Sequence, residues 1–340
     1  MFSPPPPQDL PPGVELDGSL IAEYGSVLDG GVAERDGGRR LLALDLSLDL
    51  DELLDLPGLQ VVARGETANS DSVSADVGDS QGLSNIEVGQ SHDELADLYL
   101  QWAPEETDWW LAAGRMDANH WFGLPEHLGS VIQSSAAFSP TLVDFPSFPV
   151  RRFGLAGQAQ FDGGLGITAG VFDRGFEAEG RVALMQIEHR SPDEQGRWAL
   201  GAIWHGGDLP RVAGSETARG RGLYAFTEQR IDRNPERETW LVAQLGWGDP
   251  ETSPLRLHAA LGLQFEGLPG VLPGDTISAY ASYVEAADSG ESELALEAAW
   301  RVPISEHLAL QPGLAWVQDP LGDPGADDAT VFLLRLHGSF

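Results

Sequence analysis

Alternation of apolar and polar residues is the feature that most limits what this chain can fold into. In the segment LRLHAALGLQFE, residues 255–266, apolar residues recur at every second position, and Arg256, His258 and Gln264 lie between them. Such alternation predicts a β-strand, because successive side chains of a strand point to opposite faces of the sheet. About sixteen segments share the pattern, and most are about ten residues long, the length that a tilted strand needs to cross a bilayer. They lie near residues 14–28, 39–50, 58–67, 95–103, 108–116, 150–161, 164–172, 181–190, 196–205, 221–230, 238–248, 254–266, 275–286, 292–302, 307–317 and 330–340.

The connections between the predicted strands follow a parity rule. Even-numbered connections are mostly short, as at 104–107 and 162–163, whereas the longest connections, at 68–94 and 117–149, are odd-numbered. Further long odd-numbered connections are predicted at 29–38, 206–220 and 318–329. An up-and-down barrel gives this parity, because short periplasmic turns lie at one end and long extracellular loops at the other. The predicted fold is therefore all-β, a transmembrane up-and-down antiparallel β-barrel of about sixteen strands.

The chemistry of the two strand faces indicates a membrane environment. One face of each predicted strand is apolar and the other carries most of the charged, amide and hydroxyl side chains. About sixteen strands enclose a lumen too wide for side chains to fill, so the apolar face must look outward, towards lipid. Tryptophans fall on that face near strand ends, where aromatic girdles sit. They are Trp102, Trp198, Trp204, Trp247, Trp300 and Trp316. The alternative is a large soluble β-sandwich with the same alternation.

Composition limits the partners and sites that are possible. The chain has no cysteine, which excludes disulfides, a thiol nucleophile and Cys-ligated metal. A formal net charge of −33 at pH 7 opposes binding to nucleic acid. No apolar run approaches the roughly 18 residues of a transmembrane helix.

The first residues, MFSPPPPQDLPPG, indicate an extended lead-in rather than a targeting signal. Residues 1–13 are predicted as this Pro-rich lead-in and residues 14–340 as one β-barrel domain. The start lacks the basic and apolar regions of a signal peptide. Either the protein is cytoplasmic or a targeting segment has been removed, and the barrel prediction favours the second, with localisation in the bacterial outer membrane.

Two stretches of the chain resemble a known family. The first contains GDSQGLSNIEV, DELADLYLQWAP and WWLAAGRMDANHWF, and the second is RVPISEHLALQPGLAWVQDPLGDPGADDATVFLLRLHGSF. They resemble the carbohydrate-selective porins, the OprB-like porins of Gram-negative outer membranes. The chain departs from the family pattern at Gly313, Ala315 and Asp319, where Asp, Gln and Asn are common. The resemblance implies a sixteen-stranded barrel that passes sugars, with basic and acidic residues at a constriction.

Register predicts which side chains face the lumen. On the fifth strand, Ala112, Gly114 and Met116 are predicted to face lipid, so that Arg115 faces inward. An arginine and a carboxylate that face each other across a narrow pore can donate and accept hydrogen bonds with sugar hydroxyls. The predicted pore-lining and sugar-contacting residues are Arg64, Glu66, Tyr99, Gln101, Arg115, Asp117, Trp121, Arg152, Arg256 and Glu297.

Aromatic side chains can stack on the apolar side of a pyranose ring, and Tyr99, Trp109 and Trp121 are the candidates for this contact. The alternative reading of the lumen charges is that they only pair with their neighbours and hold the wall. The connection 117–149 is the first candidate for a loop that folds inward and narrows the pore, because a long, partly apolar connection is uncommon in a compact domain. The connection 68–94 is the second candidate.

Motifs for catalysis or metal binding are weak. The GDSQG stretch, Gly78–Gly82, has the spacing of a nucleophile elbow but lies between polar segments rather than between a strand and a helix. His120 and His127 lack a third ligand, and the acidic loop 319–328 lacks the ordered ligand spacing of a calcium loop. We therefore expect no enzymatic activity, no cofactor and no bound metal.

The predicted function is passive, carbohydrate-selective diffusion of neutral sugars across the outer membrane. The alternatives are a general or cation-preferring diffusion porin and a non-conducting structural or adhesive barrel. The expected partners are neutral carbohydrates, outer-membrane lipid and lipopolysaccharide, and the barrel-assembly machinery, whose terminal signal the closing Phe340 resembles. The barrel is expected to be a monomer or a homotrimer.

Overall fold

The predicted strands are all present in the computed structural model, which describes residues 10–174, 180–232, 234, 237–267 and 274–340. The described residues form sixteen strands, β1 to β16. They are β1 Val14–Gly31, β2 Asp36–Asp49, β3 Leu59–Ser70, β4 His92–Trp102, β5 Trp109–Met116, β6 Arg152–Phe161, β7 Leu165–Asp173, β8 Arg181–Arg190, β9 Gly196–Pro210, β10 Thr217–Arg230, β11 Glu238–Gly248, β12 Leu255–Glu266, β13 Thr276–Ala286, β14 Ser292–Ser305, β15 Leu308–Gln318 and β16 Asp327–Ser339.

Each strand pairs antiparallel with its neighbours in the chain, and β1 pairs with β16 to close the barrel. The closing register places Tyr24 opposite Leu334 and Ile21 opposite His337. Phe340 extends the pairing, since its backbone exchanges hydrogen bonds of 2.8 and 3.0 Å with Gly18. The sheet of described strands is closed and has no open edge, as a barrel in lipid requires. The predicted all-β fold, a closed up-and-down antiparallel barrel, is confirmed.

Two short α-helices lie between strands. The helix α1, Leu50–Leu54, follows β2, and α2, Val73–Val77, follows β3. Three 3₁₀ turns, Ala118–His120, Glu126–Leu128 and Ser134–Ala136, interrupt the connection from β5 to β6. No helix in the described ranges has the length and apolar character to span a membrane.

The connections differ in length from the sequence prediction. The predicted long connection at 29–38 is the short turn 32–35, because β1 continues to Gly31. The predicted connection at 206–220 shortens to 211–216, because β9 continues to Pro210 and β10 already begins at Thr217. The two longest connections are 71–91, called here the first inner loop, and 117–151, called the second inner loop. Both lie at the same end of the barrel, called here the long-loop end, and the opposite end is the short-turn end.

The core lies inside the barrel. Ile132 of the second inner loop packs with Val317 and Leu333 of the wall, and Leu128 packs with Val242. The outward face is apolar and exposed, as the tryptophans Trp102, Trp198, Trp204 and Trp300 illustrate. The lumen that side chains alone cannot fill is therefore filled largely by the two inner loops. Residues 1–9 of the predicted lead-in lie outside the described residues.

Candidate functional site

The second inner loop is fixed to the inner faces of β8 to β16, called here the sealed wall. The backbone N–H groups of Ile132 and Gln133 donate to the two carboxylate oxygens of Glu297, at 2.7 and 2.9 Å. The amide of Gln244 donates to the carbonyl oxygen of Ala136 at 3.0 Å. Wall carboxylate and amide groups therefore satisfy loop backbone groups that are shielded from water, which holds the loop in one position.

The tip of the same loop is attached near the short-turn end. The backbone N–H of His127 donates to Glu228 at 2.8 Å, and its ring stacks on Trp240 with centroids 3.5 Å apart. Glu126 pairs with Arg190 at 2.6 Å and with Arg197 at 3.2 Å. The hydrogen bond from Arg190 lowers the pKa of the Glu126 carboxyl below its ordinary value. These charges are engaged with one another and serve as an anchor.

The inner faces of β2 to β6, called here the open wall, keep partly exposed side chains, most of which are polar. These inward-facing residues are Asp45, Ser47, Gln60, Val62, Arg64, Gln101, Trp110 and Gln158. On the sealed wall, by contrast, the inward-facing residues along the middle of the strands are buried, as Gln186, Tyr280 and Gln311 are. The accessible part of the lumen therefore lies to one side, against the open wall.

An aromatic cluster joins the second inner loop to the open wall. Trp121 from the loop lies 4.9 Å from Trp110 and 5.7 Å from Tyr99, measured between ring centroids. The indole N–H of Trp110 donates to Gln158 at 3.2 Å. Tyr99 is buried in this cluster, whereas Trp110 and Trp121 are half-buried. Ring faces and edges, flanked by amide groups, thus border the accessible space.

A charged cluster lies on the long-loop side of the aromatic rings. Arg151, at the end of the second inner loop, pairs with both oxygens of Glu66, and its Nη2–Oε2 distance is 2.8 Å. Its Nε lies 3.6 Å from Asp117, which caps the 3₁₀ turn after β5 by accepting from the backbone N–H of Asn119 at 2.8 Å. Arg64 donates to both oxygens of Asp45 at 2.9 Å. Oppositely charged groups thus meet across the end of the accessible space.

One buried carboxylate in this cluster is incompletely satisfied. Asp97 is buried on β4, and its Oδ1 atom has no hydrogen-bond partner among the described residues. The Nε atom of Arg151 is also without a hydrogen-bond partner. A buried acceptor and a buried donor without partners are costly, so this part of the cluster has unused capacity for hydroxyl groups or water.

The structure brings six of the predicted site residues together beside the open wall. They are Arg64, Glu66, Tyr99, Gln101, Asp117 and Trp121. Arg152 lies on the inner face nearer the long-loop end and pairs with Asp144 at 3.3 Å. Glu297 lies in the sealed wall, where the loop backbone occupies its carboxylate.

The predicted inward direction of Arg115 was wrong. In the strand register, Arg115 lies between Leu98 and Phe153, which are both exposed on the outer face. The residues predicted to face lipid, Ala112 and Met116, are buried inside instead. The cause is that this stretch of inner wall is apolar, because it packs against the second inner loop, so hydrophobicity no longer marks the outer face.

The predictions for Arg256 and Trp109 were also wrong. A bulge between Leu255 and Leu257 interrupts the alternation on β12, and Arg256 is half-exposed and paired with Glu285 at the rim. Trp109 packs edge-on against the outward-facing Trp102 at 5.2 Å, so its neighbour Trp110 is the inward ring. Bulges shift the side-chain period by one residue and carry no reliable mark in the sequence.

Two further residues of the site, Arg151 and Trp110, were not among the predicted site residues. Arg151 precedes β6, so alternation along a strand assigns it no face.

Within the described residues, two groups of His and acidic side chains have the spacing of metal ligands. They are Glu66, His92 and Glu94, and Glu126, His127 and Glu228. Arg151 pairs with Glu66, and Arg197 lies 3.3 Å from Glu228. The positive charges already compensate these carboxylates and oppose a cation, so neither donor set fits a metal ion.

Among solved structures, the chain is similar to the high-pH structure of Pseudomonas putida OprB, with a TM-score of 0.85 and 16% identity over 96% of this chain and 94% of that one. It is also similar to the outer membrane channel DcaP of Acinetobacter baumannii, with a TM-score of 0.61 and 11% identity over 96% and 97%. The trimer form of OmpT, an outer membrane protein of Vibrio cholerae, gives 0.61 and 12% over 96% and 99%.

At these identities the structural likeness shows the fold alone. No curated protein sequence matches the chain significantly. The sequence model of the carbohydrate-selective porins, the OprB family, matches residues 38–340.

Proposed function

The chain belongs to the carbohydrate-selective porin family, OprB, and on that premise we propose that this outer-membrane porin carries neutral sugars by passive diffusion along its open wall. The observation that carries the proposal is the partly exposed aromatic cluster between wall and loop. Trp110 and Trp121 present ring surface where the lumen is accessible. The apolar face of a pyranose ring can stack on such a surface, and no charge on the sugar is needed.

Polar groups beside the rings supply the complementary contacts. Gln60 of β3 and Gln101 of β4 are directly opposite each other, and Gln158 is hydrogen-bonded to Trp110. An amide offers both a donor and an acceptor, as a sugar hydroxyl requires. Because each amide contact is neutral and modest, binding is weak enough for the sugar to leave again, which a diffusion pathway needs.

The charged cluster next to the rings supports discrimination against charged solutes. Arg64, Glu66, Asp117 and Arg151 hold both signs of charge within a short stretch of the path. Paired charges of opposite sign create a local transverse field without favouring one sign of permeating ion. Entering such a field costs a neutral molecule rich in hydroxyl groups little free energy, since its hydroxyl groups can donate to the carboxylates and accept from the arginines.

Single-channel recording in planar bilayers tests the proposal. We expect a steady conductance that neutral mono- and disaccharides reduce in a concentration-dependent manner. In the Trp110→Ala variant, the sugar concentration for half-block should rise by about tenfold, because one stacking surface is lost. The matched control is Trp109→Ala, whose ring lies outside the barrel and whose loss should leave the sugar block unchanged.

Two outcomes contradict the proposal. Conductance that no sugar reduces would assign the protein to the general diffusion porins. Equal loss of sugar block in the Trp109→Ala and Trp110→Ala variants would remove the aromatic cluster from the explanation.

Acidic residues at the short-turn end favour a secondary preference for cations among permeating ions. Glu15 and Asp17 face inward opposite Ser47 and Asp45, and both are exposed. A mouth lined by one sign of charge concentrates counter-ions. The sign of the reversal potential in a salt gradient should indicate cation preference. When Glu15 and Asp17 are changed to Gln and Asn, the reversal potential should move to near zero.

A further inference from the structure

The seam of the barrel, where β1 meets β16, is the strand pair that the chain itself supports least. Each of the other neighbouring pairs is joined by a single connection, whereas Glu23 and Arg335, which lie opposite each other across the seam, are 312 residues apart. Bringing such distant segments together costs more chain entropy than closing a short connection. Pairing at the seam therefore depends more than pairing elsewhere on contacts between side chains.

A row of three charged side chains crosses the seam inside the barrel. Glu23 of β1 lies between Arg335 of β16 and Arg39 of β2, which are its partners in the strand register on either side. Its carboxylate accepts from Nε of Arg335 at 2.8 Å and also pairs with Arg39, and no more than 2% of any of the three side chains is exposed. Two buried guanidinium groups thus share one carboxylate of the wall, which leaves donors on both arginines to be satisfied by other groups.

The first inner loop satisfies donors on both arginines through residues 84–87. The Nη2 atom of Arg335 donates to Oδ1 of Asn85 at 2.8 Å and to Oγ of Ser84 at 3.1 Å. The Nε atom of Arg39 donates to the carboxylate of Glu87 at 3.0 Å. One short stretch of loop therefore contacts the strands on both sides of β1, and Glu87 supplies a second negative charge for the two arginines.

Apolar contacts of the same loop also span the seam. Val73 and Val77 of α2 pack in one cluster with Val27 of β1 and Leu333 of β16. Gly37 of β2 leaves space for this helix, because an added Cβ would lie 2.7 Å from Val73. The first inner loop, which connects β3 to β4, therefore packs on strands from both ends of the chain.

We propose that residues 84–87 form a clasp that holds the seam closed, so that the first inner loop must be in place for β1 and β16 to stay paired. If the loop leaves the lumen, Asn85 and Glu87 leave with it, and the buried N–H groups of Arg335 and Arg39 lose these acceptors. Buried donors without partners are costly, so release of the loop weakens the row of charges that crosses the seam. Release of the loop and opening of the seam are therefore coupled, independently of any solute on the open wall.

Amide hydrogen exchange of the intact protein in detergent, measured by mass spectrometry, tests the proposal, because it reports local opening separately for each strand. In the double variant Asn85→Ala with Glu87→Ala, we expect exchange in β1 and β16 to become at least about tenfold faster, since buried donors on both arginines lose their acceptors. Exchange in β11 and β12, on the far side of the barrel, should keep its native rate. Both substitutions lie in the loop, so the sequences of the strands are unaltered.

The matched control is Gln81→Ala, which removes a different anchor of the same loop. Gln81 donates to Glu293 of β14 at 3.0 Å, two strands away from β16, so this variant should speed exchange in the loop and leave β1 and β16 at the native rate. The single variant Asn85→Ala keeps the pair of Glu87 with Arg39 and serves if the double variant does not fold. It should still speed exchange in β1 and β16, by a smaller factor, and native exchange there would contradict the clasp.

Three results with the double variant would overturn the proposal. Exchange could rise in the loop and stay native in β1 and β16, which would show that the loop leaves without loosening the seam. Exchange in β1 and β16 could rise equally in the double variant and in Gln81→Ala, which would remove the specific role of residues 84–87. Exchange could rise equally in all sixteen strands, which would show lower global stability without a local effect on the seam.

Discussion

The open wall and the sealed wall are built from the same alternating strands, but their inner faces differ in what they touch. On the sealed wall, Gly246 and Gly262 leave space for the second inner loop, since a Cβ at these positions would lie 1.9 Å from Ser139 and 2.4 Å from Leu128. On the open wall, Gln101 and Trp110 are long side chains that stay half-buried, although the Trp110 ring lies 4.9 Å from Trp121 of the loop. The comparison shows that loop contact, rather than strand pattern, decides where the lumen stays accessible.

The same comparison separates polar residues that stabilise from polar residues that can meet solute. Glu297 and Gln244 of the sealed wall have their hydrogen bonds completed by loop backbone groups. Gln101 of the open wall is half-buried and has no such loop partner among the described residues. Substitutions on the two walls should therefore change different properties, stability on one and permeation on the other.

The largest effect is expected from Arg151→Ala, where the inner loop meets the open wall. Arg151 is almost fully buried against Glu66, so its removal leaves that buried carboxylate with the longer contact to Arg64 at 3.5 Å and the contact to His92 at 3.0 Å, a loss of up to about 3–5 kcal/mol. Thermal unfolding in detergent should occur at a clearly lower temperature, and single-channel conductance should rise because the loop end is released. Arg152→Ala is the matched control, since its side chain is partly exposed and, among the described residues, its ion pair is with Asp144 at 3.3 Å. Equal destabilisation in the two variants would contradict the assignment.

A second effect concerns pH and the first inner loop. Burial, with the negative charge of Glu293 next in importance, raises the pKa of Asp79 from its usual 3.8 to about 7. The folded state therefore holds a proton that the unfolded chain releases between these values. The contribution of Asp79 to stability should be fully present below about pH 4 and should fall by about 1.4 kcal/mol per pH unit until pH 7 is passed.

Unfolding midpoints measured from pH 4 to pH 8 check this dependence. Asp79→Asn should flatten the fall and be more stable than the native protein at pH 8. The exposed Asp71 lies on the same loop, and Asp71→Asn is the matched control that should keep the native slope. An unchanged slope in Asp79→Asn would assign the pH dependence to other groups.

The barrel could be predicted from the sequence because the pattern that indicates a strand is local. Alternation within about ten residues fixes a strand, and connection parity fixes the up-and-down order. The position of the inner loops depends on contacts between residues far apart in the chain, such as Ile132 with Glu297. Nothing in the local pattern encodes such contacts, so the sequence indicated a candidate inner loop but could not say which wall it covers.

The errors at single residues have the same origin. Arg115 was misassigned because Ala112 and Met116, although apolar, pack against the second inner loop and do not face lipid. Arg256 was misassigned because a bulge shifted the period of its strand. Tyr99 and Gln101 lie on the inner face as predicted, since β4 alternates regularly from Leu98 onwards.

A smaller effect is expected from Gln244→Glu on the sealed wall. Gln244 is buried, and its amide donates to the carbonyl oxygen of Ala136 at 3.0 Å. The substitution removes that donor and places a carboxylate against a carbonyl, which should destabilise the protein by about 1–3 kcal/mol. Thermal unfolding measures the change, and ion selectivity should stay close to native. A large change in selectivity without loss of stability would mean that the sealed wall is also open to solute.

A Gln→Glu substitution on the open wall, at Gln101, is expected to have the smallest effect on stability and the clearest effect on permeation. Gln101→Glu adds one negative charge to a half-buried inner-face position with room for water, so its desolvation cost is small. The reversal potential in a salt gradient should shift towards cation preference, and the shift should shrink at high ionic strength because exposed charges are screened. The unfolding midpoint should remain within experimental error of the native value. Gln101→Glu could instead change the unfolding midpoint and the reversal potential as Gln244→Glu does. That result would contradict the distinction between the open and sealed walls, because the added charge would then have the same environment on both walls.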